Sequence, residues 1–82
     1  MLSAEQVVET SFLEARHMLL EIAALLDRHD AAAARTGSRP DDARASAAAA
    51  KLAALREALG VLGEREPSRE RTVALLELFA RV

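Results

Sequence analysis

The chain has 82 residues, a formal net charge of −2 and no cysteine, and 51% of it is hydrophobic although Trp and Tyr are absent. One domain is all that this length allows, and its core supplies only a few kcal/mol unless oligomerisation or close helix packing adds to it. The missing thiols exclude disulfides, thiolate metal sites and cysteine nucleophiles, and they suit a cytoplasmic setting. The weak acidic balance argues against nonspecific nucleic-acid binding.

Alanine, the strongest helix former, dominates the composition, and strands are not expected. The apolar runs fall far short of a membrane span, and the N-terminus lacks the basic region and apolar stretch of a secretory signal.

The first helix is expected over about residues 3–30. Ser3 and Gln6 have capping-box spacing, and Leu2 and Val7 are placed as a hydrophobic staple around that start. Val8, Phe12, Ala15, Leu19, Ile22 and Leu26 follow at alternating four- and three-residue spacing, the seam of a packed helix. Asp27-Arg28-His29-Asp30 is the polar end of that pattern, but Ala31 to Ala34 are able to carry the helix on to Thr36 before Gly37.

A second apolar strip, Leu13, Leu20 and Ala24, runs well off the seam. A helix with two apolar faces buries both only against a partner, so this strip is the expected interface, with a second copy or another helical protein on it.

Helix 2 is expected over about residues 38–62, with Ser38 and Asp41 in a second capping-box spacing and Pro40 in the first turn. Its stripe is Ala48, Leu52, Leu55, Leu59 and Leu62, with Ala45 a thin extension and the small residues 47–50 permitting close approach of another helix. Gly63 is the expected terminator. Helix 3 is expected over about residues 68–82, with Ser68 as N-cap and Leu75, Leu76, Phe79 and Val82 as its apolar face. The fold class is therefore all-α: a small three-helix antiparallel bundle, packed further into a homo-oligomeric helical bundle.

Three constellations bear on function. Glu14, His17 and Glu21 lie within an arc of roughly 60° on one face of helix 1. Glu14-Ala-Arg-His17 resembles the Glu-x-x-His half-site that ferritin-like carboxylate proteins use in pairs to hold two metal ions. The resemblance covers four residues, and no second Glu-x-x-His occurs in the chain. It implies a site shared across a two-fold axis, as in encapsulated ferritin-like proteins, with iron, manganese or zinc suited to the oxygen and nitrogen donors. The alternative is a solvated polar face.

His29 with Asp27 and Asp30 is a helix-end cluster, since a histidine complements the C-terminal dipole. Helix 2, its turn and helix 3 have helix-turn-helix proportions, with Ser68, Arg69 and Arg71 leading the would-be recognition helix. Glu64, Glu66 and Glu70 at the same end would repel phosphates. No catalytic triad, phosphate-cradling glycine loop or cofactor motif is present. The expected function is that of a non-enzymatic interaction or assembly protein needing no cofactor, with an intersubunit carboxylate/histidine metal site as the first alternative and a small DNA-binding regulator as the second.

Overall fold

The computed structural model describes residues 1–36 and 43–82, the side chain of Thr36 excepted. Three helices and no strand are found among the described residues: α1 (Ala4–Thr36), α2 (Ala43–Leu62) and α3 (Arg71–Ala80). The chain divides into two compact units, Met1–Ser38 and Arg39–Val82.

The first unit is α1. Its start is the reciprocal cap anticipated from spacing: the Gln6 amide donates to Ser3 Oγ at 3.1 Å, and the Ser3 amide donates to Gln6 Oε1 at 2.8 Å. Two of the donors that a helix N-terminus leaves over are thereby satisfied. The helix passes through Asp27–Asp30 without a break and ends at Thr36 rather than near residue 30. Asp30 accepts from His29, with Oδ1 at 3.0 Å from Nδ1, so its carboxylate is engaged by a side chain, and the following alanines favour continuation. At 33 residues the helix is about 50 Å long.

The second unit is an antiparallel hairpin of α2 and α3. Arg71 contacts the Glu64 carbonyl near the turn, and Arg81 reaches Glu57 at 3.8 Å further along, which fixes the sense of the pair. The core is Ala54 and Ala58 of α2 with Leu78 of α3, each about 95% buried (5%, 6% and 5% exposed), and Leu75 packs against them. Small residues one turn apart let α3 approach closely, so a single leucine fills the contact.

This core differs from the leucine stripe expected on α2. Leu52, Leu55 and Leu59 are only half-buried and Leu62 is exposed. The Ala54/Ala58 line lies about 110° around the helix from that stripe. On α3, Leu75 does face inward, but Leu76, Phe79 and Val82 are exposed and Leu78, absent from the expected face, is the buried residue. The opposite senses of rotation of two antiparallel helices bring the unburied groups to one side. That side carries Leu52, Leu55 and Leu59 with Leu76 and Phe79, whereas Glu57, Glu77 and Arg81 lie on the other.

One boundary in this unit differs, and another lies outside the described residues. The expected start of helix 2 at Ser38, with its capping-box spacing to Asp41, lies outside the described residues. Helix α3 begins at Arg71, not Ser68, and Glu70 is its N-cap with no side-chain cap hydrogen bond. Arg71 donates across the turn to the Glu64 carbonyl and Arg69 pairs with Glu77 at 2.6 Å, so residues 64–70 fold as a turn held from α3. α2 ends at Leu62, and the Gly63 amide closes it by donating to the carbonyls of Leu59 and Gly60, both at 3.2 Å.

Candidate functional site

The side chains of α1 form the candidate surface. None of those described is fully buried, and among them only Ile22, Leu26 and Ala32 are even half-buried. Phe12 and Leu13 are 57% and 76% exposed, and Val8, Met18, Leu19 and Leu20 are likewise open. Soluble proteins rarely leave so continuous an apolar surface uncovered unless something binds it.

Residues from both strips meet in a groove of about 560 Å³ lined by Phe12, Ala15, Arg16, Leu19, Leu20 and Ala23. Arg16 sits between the seam and the strip of Leu13, Leu20 and Ala24, and its aliphatic stem continues the apolar wall beneath its charged head. The two strips are thus bridged along this stretch, which the polar letter at position 16 conceals in the sequence.

Of the candidate metal ligands, His17 and Glu21 come together, Nε2 to Oε1 at 3.1 Å, with side chains 72% and 68% exposed. This is the one-turn pairing expected of residues four apart on a helix. Glu14 takes no part in an ion pair among the described residues. Within one chain, no group of three or more histidine, cysteine or acidic side chains among the described residues is placed to hold a metal ion, neither this trio nor His29 with Asp27 and Asp30. A pair this exposed leaves most coordination positions to water.

The arginines of the would-be recognition helix are engaged within the hairpin. Arg69 lies before α3 and pairs with Glu77, while Arg71 is turned onto the Glu64 carbonyl with its Nε buried and unpartnered. Arg69 remains half exposed but is paired with Glu77, and Arg71 is held on the turn. The cavity beside that turn, lined by Val61, Glu64, Pro67, Ser68, Arg69 and Ala74, measures about 210 Å³, below the size of an ordinary ligand pocket.

No helix among the described residues is long and apolar enough to cross a membrane. The chain matches no known protein family, and no curated protein or solved structure is similar to it.

Proposed function

We propose that the protein is a non-enzymatic helical assembly module that acts by binding copies of itself or another helical protein through α1. The observation that supports this reading is the state of α1: 33 residues carrying two apolar strips, with none of the described side chains fully buried. Leu13, Leu20 and Ala24 are the interface residues of this proposal. In the assembled state the apolar faces left open on α1 and on the hairpin are each covered, and the three helices belong to an antiparallel, homo-oligomeric bundle. Burying such a strip on both copies of a two-fold pair makes each apolar contact twice. A cytoplasmic setting belongs to the same proposal and is supported by the cysteine-free composition.

Size exclusion coupled to light scattering tests it. A dimer or larger species is expected at micromolar concentration, with a shift towards monomer in Leu20→Glu, which places a charge in the apolar strip. A parent protein that stays monomeric and binds no helical partner refutes the proposal.

A second reading, an intersubunit metal site at Glu14, His17 and Glu21, is favoured by the 3.1 Å contact of His17 with Glu21. It requires a two-fold axis that sets one such strip against the other.

A further inference from the structure

Four exposed charges on α1 stand seven residues apart in the order acid, acid, base, base: Glu14, Glu21, Arg28 and Arg35. Such a row is its own complement when reversed. We infer that α1 pairs with α1 of a second copy in antiparallel sense, in the single register that sets Glu14 against the partner's Arg35 and Glu21 against the partner's Arg28. The inference rests on the self-association through α1 proposed above and adds the orientation and register of one contact in it; Leu13, Leu20 and Ala24 lie on the opposite side of α1 from this seam and are left to the further contacts of a larger assembly.

The apolar pattern agrees with the charges. Taking them as one flank of a heptad repeat puts Val8, Ala15 and Ile22 at one core position, with Met18, Leu25 and Ala32 at the other. Phe12, Leu19 and Leu26 then border the far side, giving the three-per-heptad apolar face of a core-facing helix. In the stated register Ile22 meets the partner's Leu25, Leu19 lies beside the partner's Leu26, and Ala15 meets the partner's Ala32. Large side chains therefore fill the centre, and small ones let the ends approach closely. Ile22 and Leu26, already half-buried along α1, fall at that centre. Polar residues also fall at these core positions, Ser11 towards the start of α1 and His29 opposite the partner's Met18, and the latter is of the kind that disfavours other registers.

The alternatives are weaker on the same residues. A shift of one heptad in either direction sets Glu21 against the partner's Glu21 or Arg28 against the partner's Arg28 and leaves two of the four opposite-charge pairs. In a parallel pair this flank faces the Phe12/Leu19/Leu26 border, and all four charges go unpaired. Within its own helix, only Glu21 of the four has an ion-pair partner, His17, among the described residues. Seven-residue spacing drifts about 20° per heptad on a straight helix, so a left-handed supercoil keeps the charges on one flank. This register also separates the two Glu14/His17/Glu21 strips, placing each against arginines and not against the other, and so opposes a shared metal site.

Charge exchange tests the inference. Glu14→Arg/Glu21→Arg makes all four cross-pairs repulsive and is expected to weaken the dimer about tenfold or more at low salt, measured by sedimentation equilibrium. The full exchange, Glu14→Arg/Glu21→Arg/Arg28→Glu/Arg35→Glu, keeps the net charge of the parent and is expected to restore the dimer. Mixed with tagged parent, it is expected to sort into homodimers, because each presents like charge to the other. Glu14→Arg/Glu21→Arg mixed with Arg28→Glu/Arg35→Glu is expected to give mixed dimers, which keeps the test valid if the full exchange folds poorly by circular dichroism. Parent-like self-association of both double variants, or free mixing of parent with the full exchange, overturns the register while leaving self-association through another surface intact. A monomeric parent overturns both.

Discussion

Leu78→Ala probes the one well-filled contact of the hairpin. The side chain is 5% exposed against Ala54 and Ala58, and truncation removes three carbons. Transfer at about 0.8 kcal/mol per methylene gives about 2.4 kcal/mol, and a residual cavity adds to it. The neighbours are alanines in a thin, two-layer contact that collapses readily, so the expected cost is about 2–3 kcal/mol, the lower part of the range for such substitutions. With no Trp or Tyr in the chain, the assays are urea unfolding followed by circular dichroism at 222 nm and amide hydrogen exchange resolved along α2 and α3. Loss of protection should concentrate in those two helices, and the change should not depend on protein concentration. Leu76, 68% exposed one residue pair away, is the control. Leu76→Ala is expected to cost less than about 0.5 kcal/mol in dilute protein and to matter only as concentration rises and the open side of the hairpin is covered. If Leu76→Ala costs as much as Leu78→Ala in dilute protein, α3 faces α2 with a different side and the alanine core is wrong.

Three further outcomes are expected. Gly60 has open space where a Cβ would stand, and Gly60→Ala should stabilise α2 by about 0.5–1 kcal/mol, seen as a rise in the urea midpoint with an unchanged slope. Ser3→Ala removes the hydroxyl that caps Gln6 and should cost about 1 kcal/mol locally, read as faster exchange in the first turn of α1 with the hairpin unaffected. Protein purified without chelator should retain less than one transition metal per chain after dialysis, since His17 and Glu21 are open to water. A stoichiometric metal lost in both Glu14→Ala and His17→Ala, measured by elemental analysis, would show that the strips do meet across subunits.

The features legible along the chain are those whose energy is local. The cap at Ser3 and Gln6 is one, because both partners of each hydrogen bond lie within one turn. The end of α2 at Leu62 is another, where Gly63 closes the last turn. On α1, the periodic seam and the second strip were readable as two faces, while the groove joining them over Arg16 depends on where a long side chain lies.

The pairing of the hairpin was decided elsewhere. α2 has two apolar faces about 110° apart, one of leucines and one of alanines, and hydrophobic periodicity favours the larger residues. Which face α3 takes depends on interhelix distance and on whether one leucine fits between two alanines, a matter of shape that no single helix's pattern contains. The onset of α3 is likewise set from outside it: Arg71 is tied to the Glu64 carbonyl seven residues earlier, and this holds residues 64–70 as a turn where Ser68 alone would have begun a helix. Caps and termini follow from neighbours in sequence, whereas the choice between two competing faces follows only from what the second helix brings to meet them.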